Sequence, residues 1–210
     1  YVYPRTTNKI LNYFLKSKGV AKKDIMETYT PFSHSDYQTI VADIKKFAAG
    51  KPTAVVSTIN GDSNVPFYKE LGNQGLKAED IPVVAFSVGE EELRGIDAKP
   101  LVGHLAAWNY FMSVKTPENK AFIKKWNAYV KKNKLPGGSK RVTNDPMEAT
   151  YIGIKMWAQA VEQAGTTNID AVRQAIGGQT VNSPSGFKIT MDAKNHHLHK
   201  PVVIGEIQAD

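Results

Sequence analysis

With 210 residues, 41% of them apolar and 10% aromatic, the chain holds enough hydrophobic material for one large or two small packed domains, which excludes wholesale disorder. The net charge of +7 raises nucleic acid as a partner, but Lys16, Lys18, Lys22, Lys23, Lys124, Lys125, Lys131, Lys132 and Lys134 are spread along helical stretches without a basic-aromatic motif. Solvated helix faces account for them, so no nucleic acid is expected. Cysteine is absent, which removes disulfides, thiol nucleophiles and Cys-based metal sites and is compatible with an oxidising compartment; no apolar run approaches the roughly 20 residues that span a bilayer.

The chain opens on Tyr1-Val2-Tyr3-Pro4-Arg5. Read as the end of an extended segment, it points both rings to one side and offers two phenolic hydroxyls to a small polar ligand. A helix over Asn8–Lys18 follows, with Ile10, Leu11, Phe14 and Leu15 on one face, Thr6 or Thr7 as N-cap and Gly19 as stop. Ile25–Tyr29 then reads as a strand, Tyr37–Ala48 as an amphipathic helix and Ala54–Thr58 as a buried parallel strand. Next come a helix from about Asn64 to Leu71 and a strand over Pro82–Phe86. This alternation predicts a doubly wound α/β sheet. Its first helix needs a preceding parallel strand to cover, so the chain is expected to be a fragment of a longer protein.

The second half predicts a strand over Leu101–Trp108, with Gly103 allowing a bend or close approach. A helix over Pro117–Lys132 turns Phe122, Ile123, Trp126, Tyr129 and Val130 inward, and a polar loop with Pro136-Gly137-Gly138 follows it. A long helix over Asp145–Ala164 carries an inner stripe of Met147, Tyr151, Ile154, Ala158 and Val161. Asn168 opens a shorter helix to Ile176, and the tail holds two or three strands, Phe187–Met191 and Pro201–Ile207.

Ligands of open α/β sheets bind beyond the carboxyl ends of the strands. Three such ends are polar here: Tyr1 and Tyr3; Thr58 and Asn60 within Ser57-Thr58-Ile59-Asn60-Gly61-Asp62; and Ser87 and Glu90 within Phe86-Ser87-Val88-Gly89-Glu90. Asn60-Gly61 is also an ordinary turn and Ser87 an ordinary helix cap, but three polar ends on one sheet edge favour a site. Catalytic machinery is not evident. Glu90-Glu91-Glu92 complements a helix start, Ser87 lacks the G-x-S-x-G elbow of hydrolases, and Gly-rich phosphate loops are absent. His196-His197-Leu198-His199 has no carboxylate at clear ligand spacing, so neither a metal nor another cofactor is expected. His104 reads as a packed or hydrogen-bonded strand residue.

At these strand ends, and in Asn64-Val65-Pro66-Phe67-Tyr68, Gly103-His104-Leu105-Ala106-Ala107-Trp108-Asn109-Tyr110-Phe111, Asn144-Asp145-Pro146-Met147-Glu148-Ala149 and Lys200-Pro201-Val202-Val203-Ile204-Gly205-Glu206-Ile207, the sequence resembles type I periplasmic substrate-binding proteins. Within that group it is most similar to the urea-binding components of ABC transporters, relatives of short-chain amide and branched-chain amino-acid binders. The resemblance covers essentially the whole chain. It implies two α/β lobes clamping a ligand: residues 1–96 as most of the second lobe, 97–200 as the returning part of the first lobe with a hinge crossing, and 201–210 as a terminal strand crossing back. It also implies a non-enzymatic, periplasmic protein whose partners are urea or a short amide, a permease in the inner membrane and an N-terminal portion of the same protein, with ligand contacts at Tyr1, Tyr3, Thr58, Asn60, Ser87 and Glu90. An amide- or amino-acid-sensing regulator of the same fold is the alternative, and an amidohydrolase a more remote one. Urea presents four N–H donors and one acceptor, so a pocket rich in acceptors with one or two donors suits it. Without the N-terminal portion, an apolar sheet edge is expected to bind that portion or a second copy.

Overall fold

Short β-branched runs alternate with amphipathic stretches along the chain, and in the computed structural model, which describes residues 1–209, they become parallel strands and helices. In chain order the elements are α1 (Val2–Ser17), α2 (Gln38–Ala48), β1 (Val55–Ser57), α3 (Asn64–Asn73), β2 (Val83–Ala85), α4 (Glu90–Leu93), β3 (Leu105–Trp108), α5 (Pro117–Lys132), α6 (Asp145–Ala164), α7 (Ile169–Ile176), β4 (Thr180–Asn182), β5 (Lys188–Met191), β6 (Leu198–His199) and β7 (Val203–Glu206). They divide into two units. The first comprises residues 1–88, 92–107 and the chain from Ile204; the second comprises residues 89–91 and 108–203.

The first unit is built on a sheet of order β1-β2-β3-β7. Val55 pairs with Val83 and Ser57 with Ala85 in parallel register, and Val84 pairs with Leu105 on the far side of β2. Val83 and Ala85 are fully buried, as expected for a strand covered on both faces. Tyr37, just ahead of α2, joins Val41 and Ile44 of α2 and Phe67, Tyr68 and Leu71 of α3 in the core. His104 is packed just ahead of β3. Its Nδ1 accepts from the Val83 N–H at 3.1 Å and its Nε2 donates to the Leu76 carbonyl at 3.2 Å, so it is neutral; burial holds its pKa below the usual histidine value. Gly103 adopts φ +90°, and a Cβ there would lie 3.1 Å from Ala78, so the expected bend and close approach coincide.

Two expectations for this unit are corrected. The helix begins at Val2 rather than Asn8, which takes Tyr3 out of an extended segment. Pro4 does not oppose this, because in the first turn its missing N–H would have had no intrahelical acceptor anyway. Residues 25–30 do not form a strand: they carry no ladder assignment among the described residues, and the outer edge of β1 is unpaired. An extended segment becomes a strand only when a neighbour takes its N–H and C=O groups. Helix α1 correspondingly buries no residue, and Ile10, Tyr13 and Phe14 are exposed.

The second unit packs α5, α6 and α7 with an antiparallel sheet of order β4-β5-β6. Thr116 caps α5 by accepting the Asn119 N–H at 3.1 Å, Asn144 caps α6 by accepting the Met147 N–H at 3.1 Å, and Gly165 ends α6 in the left-handed region. The face that α6 buries is not the expected one. Asp145, Glu148, Ile152, Met156 and Ala160 point inward, and Ile154 is exposed. Ile152 and Met156 form a core with Ile189 of β5. The turn of the helix is set by two carboxylates that a hydrophobicity count assigns to solvent. Both are paired with Lys200, whose Nζ is 2.6 Å from Glu148 Oε2 and 3.8 Å from Asp145 Oδ2. On α5 only part of the expected face is buried: Phe122 and Val130 are inside and Tyr129 is exposed.

Candidate functional site

In the first unit the chain leaving β1 forms one wall of a cavity of ≈ 250 Å³. Thr58, Ile59, Asn60 and Ser63 line that wall, residues 28–32 line the other, and Tyr1 and Pro4 complete the lining. Tyr1 stands edge-on to Phe32, with ring centroids 4.7 Å apart. None of the lining side chains is charged. Their polar groups are hydroxyls, one carboxamide and main chain.

Several of those groups are already committed. Thr58 Oγ1 donates to Asn8 Oδ1 at 3.2 Å, tying the end of β1 to α1. The Tyr29 hydroxyl donates to Glu27, which also receives Asn8 and Asn12 amide protons at 3.2 and 3.3 Å, and the Arg5 guanidinium lies 4.5 Å from the Tyr29 ring centre. The Tyr29 hydrogen bond is the main cause that lowers the Glu27 pKa, and the same bond raises that of Tyr29. Asn60 is exposed, and its carboxamide has no hydrogen bond among the described residues. Asn60, the Ser63 hydroxyl and the main chain are therefore the open polar groups of the wall.

The structure brings together three of the six expected contacts, Tyr1, Thr58 and Asn60. Tyr3 and Ser87 meet elsewhere in the same unit. The Tyr3 hydroxyl is buried beside Ser87, whose own proton goes to the Ile59 carbonyl at 2.6 Å; burial raises the Tyr3 pKa and the neighbouring Ser87 hydroxyl opposes that rise. Because Tyr1 caps α1 and Tyr3 lies in its first turn, the two rings do not share a side. Glu90 belongs to the second unit. There its Oε1 accepts the Ser113 N–H at 2.9 Å, and its Oε2 is buried and unpartnered. Of the histidine cluster, His199 Nε2 lies 3.2 Å from Asp192 Oδ2, a nearby carboxylate that the sequence reading did not pair with it; the described residues contain no group of three or more metal-ligating side chains.

The sequence does not point to the wall at residues 28–32: residues 28 and 29 read as the end of the Ile25–Tyr29 strand, and residues 30–32 carry no motif. Asn64, too, reads in the sequence only as the start of a helix. Asn64 is fully buried, and its Nδ2 donates to the carbonyls of Ile59, Gly61 and Ser87 at 3.2, 3.1 and 3.2 Å. A carboxamide following Asn-Gly at a strand end was the available signal.

The whole chain, residues 1–210, matches the family described as "Periplasmic binding protein domain", and the chain belongs to that family. Its fold is the type I periplasmic-binding-protein fold, α/β with a parallel sheet. Among solved structures, a solute-binding protein of an ABC transporter from Rhodopseudomonas palustris HaA2, in complex with p-hydroxybenzoic acid, is similar with a TM-score of 0.80 and 23% identity over 99% of this chain and 54% of that one. An amino acid ABC transporter substrate-binding protein from Pseudomonas fluorescens Pf-5 has a TM-score of 0.80 and 18% identity, covering 100% of this chain and 52% of its own. A curated protein named limonene hydroxylase, from Geobacillus stearothermophilus, is 33% identical over 113 residues, which are 54% of this chain and 19% of that protein. The chain thus spans about half the length of these two solved relatives and a smaller share of the curated one.

Proposed function

We propose that this chain is part of a periplasmic solute-binding protein that captures a small neutral polar solute, urea or a short amide, without chemical turnover and delivers it to an ABC permease. The observation that carries this reading is the uncharged lining of the cavity between residues 28–32 and Thr58–Asn60. A carboxylate ligand such as a benzoate or an amino acid would leave water there without meeting a cationic side chain of the lining, and burying an unpaired charge costs several kcal/mol. An amide loses only hydrogen bonds to water, which main-chain carbonyls, the Asn60 carboxamide and hydroxyls can replace. The rings of Tyr1 and Phe32, set edge-on to one another, add apolar surface against which a planar amide group can pack.

Calorimetry on the protein with urea, acetamide, 4-hydroxybenzoate and leucine tests this reading. A saturable heat is expected with urea or acetamide, with no ammonia released. Binding of 4-hydroxybenzoate or leucine at least about tenfold tighter than either amide, a gap of roughly 1.4 kcal/mol, would overturn the substrate class. Ammonia release from urea would replace capture by hydrolysis.

A further inference from the structure

The side chain of Asn64 does not line the cavity, yet it ties the loop that forms one wall of the proposed site to the loop leaving β2. Its Nδ2 reaches the carbonyls of Ile59 and Gly61 in the loop leaving β1 and that of Ser87 in the loop leaving β2, at 3.2, 3.1 and 3.2 Å. A carboxamide has two N–H bonds, so three acceptors share two protons, and the residue is wholly excluded from solvent. The Ile59 carbonyl also accepts the Ser87 hydroxyl at 2.6 Å. With two donors its lone pairs are filled, and it is fixed in direction. Ile59 and Asn60 form part of the cavity wall, and Ser87 stands beside the buried Tyr3 hydroxyl. The direction of Asn60 and the position of Ser87 are therefore set by one buried side chain that itself faces neither the solute nor water.

We infer that Asn64 is a positioning residue for solute binding: it sets the affinity of the pocket by clamping the Ile59–Gly61 loop to Ser87. Only a neutral donor of this shape serves. Leucine has the size of asparagine and no donor, and an ionised aspartate would turn a negative oxygen toward three carbonyls. A protonated aspartic acid restores one of the two donors. The ligand part of this inference rests on the solute-capture reading above; the clamp itself does not.

The test uses Asn64→Leu and Asn64→Asp in the intact protein, with two readouts. Amide hydrogen exchange without solute, measured over residues 59–63 and 87–88, is expected to quicken at least about tenfold in both variants at neutral pH, while exchange in α5 and α6 stays as in the parent. Urea affinity by calorimetry is expected to fall about tenfold or more in both. For Asn64→Asp alone it recovers as the pH is lowered from 8 to 5 toward the carboxylic acid range; a variant that merely loosens the fold would show no such recovery. Unchanged exchange in both variants overturns the clamp. Parent-like urea affinity in Asn64→Leu, or the same pH profile in both variants, overturns the positioning role. If urea fails to bind the parent protein, the solute reading falls, and the exchange measurement still decides the clamp.

Discussion

Replacing Lys200 by methionine should destabilise the second unit strongly and in a pH-dependent way. The ammonium is enclosed with Glu148, whose side chain is 0% exposed, and with Asp145, at 2.6 and 3.8 Å. At an effective dielectric of about 20 these separations correspond to attractions of about 6 and about 4 kcal/mol. Much of that is cancelled by desolvation and by repulsion between the two carboxylates. Removing one member of such a group leaves buried charge uncompensated and costs about 3–5 kcal/mol, or roughly 6–20 °C in melting temperature for a chain of this size. Asp145 adds the pH dependence. Burial raises its pKa first, Glu148 raises it further, and Lys200 opposes both. A carboxyl whose folded pKa lies above its unfolded one contributes stability that is present below the unfolded value and lost as pH rises through the folded value. Without Lys200 that window moves upward, so the deficit of Lys200→Met is largest at pH 8 and shrinks by pH 5. Thermal melts by circular dichroism at both pH values check this. Asp145→Asn, which leaves a one-to-one pair of Lys200 and Glu148, is expected to be neutral or stabilising at pH 7. A Lys200→Met melt within about 2 °C of the parent at pH 8 would refute the reasoning.

Leu71→Ala, at a fully buried site, should cost about 2–5 kcal/mol in urea or thermal unfolding, whereas Phe14→Ser on the exposed face of α1 should change stability by less than about 0.5 kcal/mol. Gly186→Ala should destabilise by about 1–3 kcal/mol, because φ is +87° there and the new Cβ would lie 2.8 Å from Thr116 Cγ2; calorimetric melting reads the loss. His104 should remain neutral below its ordinary titration range, so nitrogen-detected NMR at pH 6 should show the Nε2–H tautomer, and stability should decline as the pH falls from about 6.5 toward its lowered folded pKa.

The elements that sequence defined best carry their own boundaries. Helices α5 and α6 begin where Thr116 and Asn144 can cap them, and α6 ends where Gly165 turns left-handed. The strands around Val55 and Val83 each open on a pair of valines in a short apolar run, as a buried parallel strand favours, although only β2 is fully covered and Val56 of β1 is exposed. What sequence obscured depends on tertiary partners. Whether Ile25–Tyr29 is a strand depends on a neighbour that must share its hydrogen bonds, and the start of α1 depends on whether Tyr1-Val2-Tyr3 is drawn into a sheet. The inner face of α6 is set by a charge pair with Lys200, 52 residues from Glu148 along the chain. Strand β4, Thr180–Asn182, is too short and polar for a periodic signal. For the site, the loop after β1 was legible because its hydroxyl and carboxamide residues stand at a strand end. The opposite wall, residues 28–32, and the clamp at Asn64 were not, since an ordinary loop and an ordinary helix start look the same one residue at a time.

A titration of the isotope-labelled protein with urea, followed through its backbone amide signals, tests the central claim most directly. Solute capture in the uncharged cavity predicts saturable shifts centred on Thr58, Ile59, Asn60 and residues 28–32, with α7 unmoved. Shifts centred elsewhere, or a response of these amides to 4-hydroxybenzoate or leucine but not to urea or acetamide, would contradict it.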